Sequence, residues 1–173
     1  VALLLGRRVT DGQPVAPDDV RMAVLGAGLL WCGWFGLNGG SALTAGGLAA
    51  SAVIVTKTAA AAATISWVLA SYLHHGKVSV VGAACGAVAG LVAITAPCAF
   101  VQPWAAAVIG IIAAILIVES VFFFERKGID DPVGAISVHG VGGIFGVLCV
   151  GIFSDVRYGG GWNLTDTAAT KGH

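Results

Sequence analysis

A single histidine, His139, stands within the apolar, glycine-rich stretch AISVHGVGGIFG at residues 135–146. No aspartate, glutamate, lysine or arginine lies between Asp131 and Asp155. A polar group in such surroundings costs free energy unless it has a partner or a use. The neutral imidazole has one donor and one acceptor nitrogen. It could therefore form a structural hydrogen bond to a neighbouring helix or line a pore for a small polar solute, and the stretch alone favours neither.

A second group of aromatic and polar side chains occurs in LLWCGWFGLNGGSAL, residues 29–43. Aromatic side chains near the end of an apolar run are typical of the belt at a membrane surface. Aromatic faces beside a hydroxyl could instead hold a small cation by cation–π attraction and a hydrogen bond. Composition alone favours an aromatic belt at the membrane surface over a cation site. The side chains concerned are Trp31, Trp34, Phe35, Asn38 and Ser41.

The sequence contains no recognisable catalytic motif. It contains no P-loop, no nucleophile with a placed base and no carboxylate pair inside an apolar run, so an enzyme is not expected. Four cysteines lie in or beside apolar runs without metal-ligand spacing, which favours packing over redox or metal roles. They are Cys32, Cys85, Cys98 and Cys149. We expect no metal and no cofactor, and zero net charge without a basic stripe gives no indication of nucleic-acid binding.

Composition points to a membrane as the surroundings of these residues. The 173 residues are 57% hydrophobic and 10% charged, and the mean hydropathy is +0.92. A soluble domain carries about 25% charged residues. The apolar runs reach about 20 residues, the length that a helix needs to cross roughly 30 Å of hydrocarbon. The sequence therefore predicts an all-α, multi-pass membrane protein, a bundle of transmembrane helices.

Hydropathy predicts five full spans, preceded by the end of another in VALLL. Asp130, Asp131 and Pro132 are typical of a helix start and are predicted to lead into the fifth span. The glycine-rich polar tail after that span is predicted to be a loop. The five spans cover approximately residues 22–43, 48–73, 78–94, 104–124 and 132–153.

The loops predict the orientation of the spans. Lysine and arginine occur in the connections at 6–21, 74–77 and 125–131, whereas the opposite short loops contain none. The positive-inside rule therefore predicts that these three connections are cytoplasmic. The fifth span then starts inside, and at 1.5 Å per residue His139 is expected about 10 Å along its helix, at middle depth.

Two charged residues fall inside the predicted spans. Lys57 lies in the outer half of the second span, where its side chain could extend towards the surface or form an ion pair. Glu119 lies near the inner end of the fourth span and is predicted to pair with Arg126 or Lys127. For both, a structural role is favoured over a catalytic one.

Glycines at four-residue spacing predict close packing of the helices, because small residues allow helix backbones to approach each other in lipid. Such spacing indicates a bundle without indicating what the bundle does. The sets are Gly36 and Gly40; Gly82, Gly86 and Gly90; and Gly142 and Gly146.

Four motifs, GWFGLNGGSAL, TAAAAATISW, GAVAGLVAIT and DDPVGAISVHGVGGIFG, occur in the order and at the spacings of ammonium transporters. The chain resembles this Amt/Mep/Rh family, and its Amt branch most, from VALLLGRR to YGGGWN. The resemblance implies a plasma or inner membrane protein of eleven spans that assembles as a homotrimer, with one pore in each subunit. Spans one to five and six to ten form an inverted repeat in the family. Residues 1–173 resemble the second repeat, from the end of span five to the loop after span ten.

The resemblance also implies roles for five residues. His139 matches the second of two pore histidines, Ser41 the serine of the outer ammonium site and Trp34 a pore-lining tryptophan. Thr95 matches a threonine near the pore, and Leu37 occupies the position of the inner gate phenylalanine. Ammonium would be recruited at the outer mouth and deprotonated, and ammonia would pass through the apolar pore. The implied partners are ammonium or ammonia, membrane lipid and a PII-type regulatory protein on the cytoplasmic face.

The sequence departs from the family pattern at several positions. Leu37 keeps the gate apolar but removes an aromatic face, and Lys57 replaces the usual asparagine with a charge. Pro97 comes one position later than the usual Thr-Pro pair, and Pro17–Asp19 replaces the commoner Pro-His-Asn. These departures weaken the expectation that the protein conducts like a typical member.

The first pore histidine and span eleven would lie outside this chain, which we interpret as a fragment, a partial gene product or one half of a split protein. Leu37 and Lys57 motivate a second hypothesis, an ammonium sensor or non-conducting paralogue that signals to a cytoplasmic partner. A third, a purely structural membrane subunit, requires His139 and Ser41 to be coincidental.

Overall fold

The structure, a computed structural model, describes residues 19–129, 131 and 133–155, and of His75 only the backbone. Several features named above lie outside the described residues: the predicted end of a span at residues 1–5, most of the predicted connection 6–21 with Pro17, Asp130, Pro132 and the polar tail.

The described residues form α-helices joined by short connections. We number them α1 to α5: Val20–Gly40, Gly47–His75, Val80–Thr95, Pro103–Arg126 and Gly142–Phe153, with the π-helical segment Ile136–Val141 leading directly into α5. The prediction of an all-α bundle is confirmed.

Four of these helical segments are long and apolar enough to cross a membrane: α1, α2 from Gly47 to His74, α4, and the continuous segment Ile136–Phe153. The remaining helix, α3, has 16 residues. It is shorter than the roughly 20 residues that span a bilayer. The predicted span boundaries, and the membrane side that each end of the bundle faces, stay predictions.

Local signals in the sequence set the ends of the helices. The Asp19 carboxylate accepts hydrogen bonds from the backbone N–H groups of Arg21 and Met22, at 2.8 and 3.2 Å, and so caps α1. Pro103 begins α4, where its missing N–H costs nothing. At the other end of α2, Gly76 adopts a left-handed conformation with φ of 66° and stops the helix.

The bundle is organised around α2 and α3. Helix α2 packs against both α3 and α4, and α3 also contacts α1 and α5. The core is built largely from alanine, valine and isoleucine, with Val55, Leu91, Ile94, Ile109 and Ile117 among its largest fully buried side chains. Small side chains predominate because the helix backbones lie close together.

Glycine is required where these backbones approach most closely. A Cβ added at Gly90 would lie 2.6 Å from the Ala59 carbonyl oxygen of α2, and one at Gly146 would meet the backbone of Ala93. The packing role predicted from the glycine spacing is therefore confirmed for these positions. At Gly36 and Gly40, by contrast, no described atom lies within 4 Å of an added Cβ.

Polar contacts join neighbouring helices at both ends of the bundle. At one end, His74 Nε2 of α2 lies 3.4 Å from Glu119 Oε1 of α4. The prediction that Glu119 pairs with Arg126 or Lys127 is therefore wrong, because the structure places a residue of an adjacent helix next to its carboxylate. At the other end, Gln102 Nε2 donates to Asp155 Oδ2 at 2.5 Å.

Candidate pore-lining site

His139 lies in the π-helical segment that leads into α5. In a π-helix the backbone bonds run from residue i to i+5, and such turns are frequent at functional sites. Ser137 and Val138 face the bundle and are buried, whereas His139 and Gly140 are exposed on the opposite side. Within the described part of the chain, the imidazole has no hydrogen-bond partner.

His139 opens on an apolar groove that runs along the exposed face of α5. The groove has a volume of about 550 Å³ and is open on one side. Its apolar side chains are strongly exposed, as Ile144 at 67% illustrates. The residues that line it are His139, Gly140, Gly143, Ile144, Val147 and Leu148. Among these lining residues, only the histidine has a polar side chain.

The helical segment that carries His139 follows a turn. Regular structure begins at Ile136, after a turn in which Gly134 has φ of 65°. His139 therefore lies about one turn from the start of the π-helical segment. The following Gly142 packs against Ile117, near the middle of α4. His139 consequently remains near the middle of the bundle.

Asp131 supports the start of this segment. Its carboxylate oxygen Oδ2 accepts a hydrogen bond of 2.6 Å from the backbone N–H of Ile136. The first N–H groups of a helix have no partner within the helix, so an acceptor placed here stabilises the start. The acidic residue predicted to lead into the helix thus acts through a specific hydrogen bond.

Trp34 and Thr95 form the second part of the candidate site. Trp34 Nε1 of α1 donates a hydrogen bond of 2.8 Å to Thr95 Oγ1, and this hydroxyl donates to the Leu91 carbonyl oxygen at 2.7 Å. The indole ring is half-buried and packs against the core. Its orientation is therefore fixed by the last turn of α3.

Ser41 and Leu37 lie one turn apart at the end of α1. The Ser41 hydroxyl donates to the Leu37 carbonyl oxygen at 2.8 Å, so its oxygen keeps lone pairs that can accept a further hydrogen bond. Both residues are exposed, and Leu37 keeps 54% of its surface accessible. A small donor such as a protonated amine can reach this hydroxyl.

The structure brings four of the five predicted site residues together and holds the fifth apart. Trp34, Leu37 and Ser41 follow one another along the last turns of α1, and Thr95 contacts the first of them. His139 lies on a different element. Within the described residues α1 and α5 both pack against α3 and not against each other.

Lys57 lies on a second, smaller groove, of about 330 Å³, between α1 and α2. It is exposed, and its groove is lined otherwise by Gly28, Trp31, Cys32 and Phe35. The Trp31 Nε1 atom is buried without a hydrogen-bond partner among the described residues. Cys32 is exposed here, unlike the buried Cys98 and Cys149, so packing explains it less well.

Asn38 and Gln102 make polar contacts that were not predicted from the sequence. Asn38 Nδ2 donates to Thr56 Oγ1 at 2.9 Å inside the bundle. Gln102 contacts both Asp155 and, through its Oε1 atom, the indole N–H of Trp104 at 3.1 Å. Asn38 stood out as polar within an apolar run, but hydropathy cannot tell which residue of another helix faces it.

The fold and the site define a class: a helical membrane protein with a polar side chain on an apolar groove. The Ammonium Transporter Family model matches residues 1–172. The ammonium transporter Amt2 of Archaeoglobus fulgidus is 46% identical over 159 residues, 90% of this chain and 34% of that protein. The chain therefore belongs to the ammonium transporter family.

Solved structures agree with this assignment. The crystal structure of Saccharomyces cerevisiae Mep2 matches with a TM-score of 0.84 and 37% identity, over 91% of this chain and 36% of that one. A structure described as a sensor Amt protein matches with a TM-score of 0.84 and 39% identity, over 94% and 42%. The chain thus spans between a third and about two fifths of the length of these relatives.

Proposed function

We propose that the protein transports ammonium across a membrane by passing neutral ammonia along the groove of His139. The observation that carries the proposal is the exposed imidazole at mid-bundle without a partner among the described residues. A purely structural histidine would be hydrogen-bonded to a neighbouring helix, because an unpaired polar group in apolar surroundings is costly. Ammonia has both a lone pair and N–H groups, so it can bond either nitrogen of the ring.

Selectivity follows from the cost of charge in apolar surroundings. An ammonium ion in the groove of Ile144 and Val147 would lose its hydration without gaining a counter-ion, whereas neutral ammonia crosses at far lower cost. Ammonium therefore gives up its proton before or at the entrance to this groove. Potassium has no proton to give up and is excluded.

We assign the outer recruitment of ammonium to the end of α1. The Ser41 hydroxyl has lone pairs free to accept a hydrogen bond from the cation, and Thr95 holds the Trp34 ring about two turns away. A cation is attracted to the face of an indole ring. Leu37 lies between them as an apolar gate, which keeps water and ions from following ammonia.

The names of the curated relatives favour transport over the sensor hypothesis, because proteins 40–46% identical to this chain are described as ammonium transporters. The exposed apolar faces of the helices suit contact with lipid or with neighbouring helices. A homotrimer, a plasma or inner membrane location, cytoplasmic loops at 6–21, 74–77 and 125–131 and a PII-type partner are part of the proposal. They rest on the family and on the loop charges.

The test is methylammonium uptake by cells that lack their own ammonium transporters and express the complete gene product. The loss of a hydrogen-bonding group in water-poor surroundings costs about 1–3 kcal/mol, so His139→Ala should lower uptake about tenfold. Ile152→Ala, which truncates a strongly exposed side chain of the same helix, is the matched control and should change uptake little. Unchanged uptake together with unchanged potassium exclusion in His139→Ala would refute the role of His139.

A further inference from the structure

A single buried polar contact attaches the outer end of α1 to α2. Asn38 Nδ2 donates to Thr56 Oγ1 at 2.9 Å, and Thr56 donates in turn to the Ala52 carbonyl oxygen at 2.6 Å. Asn38 is 2% exposed and Thr56 is fully buried. All 21 residues of α1 are described, and Asn38 alone among them is buried. The contact therefore involves the one fully buried residue of α1.

Asn38 is placed to control the candidate residues of the outer site. It directly follows Leu37 in the last turn of the helix and precedes the C-cap residue Ser41 by three residues. At the next position, a Cβ added to Gly39 would lie 3.0 Å from the Val53 side chain of α2. Backbone packing and the buried hydrogen bond thus hold the same turn.

Two polar contacts to two different helices determine the rotation of α1 about its own axis. Trp34 is bonded to Thr95 of α3, and Asn38, one turn further along, is bonded to Thr56 of α2. One contact alone would constrain this rotation less, because most other side chains of α1 are exposed. Removing the Thr56 hydroxyl would leave the Asn38 amide without this acceptor, and the last turn would shift to find another.

We propose that Asn38 and Thr56 are positioning residues for the outer ammonium site. Their hydrogen bond sets the direction of the Ser41 hydroxyl and of the Leu37 side chain without touching the substrate. The identity of the bound cation rests on the proposed function. The position of Ser41, by contrast, can be measured without any transport assay.

The test measures how fast a cysteine introduced at position 41 is modified. The complete gene product carries Ser41→Cys with Cys32→Ser, because Cys32 is exposed. Cys98 can remain, since it is buried and burial raises the pKa of its thiol, which leaves little reactive thiolate. A charged, membrane-impermeant thiosulfonate is the probe. Thr56→Val is compared with Thr56→Ser, which keeps the hydroxyl.

Thr58→Val is the matched control, because the Thr58 hydroxyl bonds only the Ile54 carbonyl oxygen of its own helix, at 2.9 Å. We expect Thr56→Val to change the modification rate by about threefold or more, and Thr56→Ser and Thr58→Val to stay within about twofold. Equal rates in Thr56→Val and Thr58→Val would overturn the proposal.

A transport measurement in the protein that retains Ser41 separates positioning from general loss of structure. Thr56→Val should raise the half-saturating methylammonium concentration about three- to tenfold and change the maximal rate less, since the loss of the acceptor displaces the binding group without altering the pore. If neither the parent protein nor Thr56→Val takes up methylammonium, but Thr56→Val still changes the modification rate of the thiol at position 41, the proposed function fails and the positioning role is supported.

If uptake is normal and Thr56→Val leaves that modification rate unchanged, the positioning role is overturned and the proposed function is supported.

A second variant covers the case in which Thr56→Val does not accumulate in the membrane. Asn38→Ala removes the contact without leaving an unpaired amide, and Thr56 keeps its bond to the Ala52 carbonyl oxygen. It should change the modification rate of the thiol at position 41 in the same way as Thr56→Val. Equal rates in Asn38→Ala and the parent protein would overturn the proposal independently.

Discussion

Trp34 Nε1 donates a hydrogen bond of 2.8 Å to Thr95 Oγ1, and this bond joins α1 to the last turn of α3. The two residues are 61 positions apart in the chain. The bond fixes the plane of an indole ring that would otherwise turn about its side-chain torsions. It also ties a helix with one buried residue to the most buried helix of the bundle.

Removal of the acceptor in this bond should loosen α1. Thr95→Val keeps the shape of the side chain but leaves the Trp34 N–H unpaired, so we expect the protein to lose about 1–3 kcal/mol of stability. Thr95→Ser keeps the hydroxyl and should behave like the parent protein. Thermal unfolding in detergent, followed by tryptophan fluorescence, measures the difference. Equal unfolding temperatures for the valine and serine variants would contradict the importance of the bond.

Gly146 should not tolerate even one methyl group. An alanine there would meet the backbone of Ala93 on α3, and separating the two helices costs about 1–3 kcal/mol. Gly151→Ala, on the same helix with open space around it, is the control and should be neutral or stabilising because alanine favours a helix. The yield of folded protein and its unfolding temperature distinguish the two variants. Close packing at Gly146 is refuted if both behave alike.

Loss of the Asn38–Thr56 contact should cost more when one partner remains than when both are replaced. Thr56→Val leaves a buried amide unpaired, which costs about 1–3 kcal/mol, whereas two apolar side chains of similar shape can be nearly neutral. We therefore expect Asn38→Leu combined with Thr56→Val to recover part of the stability that Thr56→Val loses. Unfolding temperatures of the parent, both single variants and the double variant test this. An additive loss in the double variant would show that the two side chains do not interact.

Asp131 should hold the start of the segment that carries His139. Asp131→Ala removes the acceptor of the Ile136 N–H, and the loss of a capping side chain costs about 1 kcal/mol. We expect faster hydrogen exchange in the peptide that contains Ile136 and reduced methylammonium uptake. Asp131→Asn keeps an acceptor oxygen and should lie between the two. Unchanged exchange in Asp131→Ala would mean that the turn at Gly134 holds the start by itself.

Part of the fold and the site can be derived from residue types and their order. Long apolar runs predict helices for a membrane because backbone groups in lipid must bond within their own segment. The motifs around Ser41 and His139 identify the family, since several long matches in order do not arise by chance. The residue at which the last helical segment becomes regular could not be derived in this way, because hydropathy does not register a left-handed turn such as that at Gly134.

The sequence by itself determined the all-helical class, the family and the residues worth testing, because each depends on composition, order or motif. Only the tertiary structure decided which side chains meet. It paired Glu119 with His74 rather than with the basic residues next to it in the chain, and it joined Asn38 to Thr56. It also left the His139 ring open on an apolar groove. The physical reason is that contacts between helices depend on the rotation and height of each helix, and those are set by backbone packing distributed over the whole bundle.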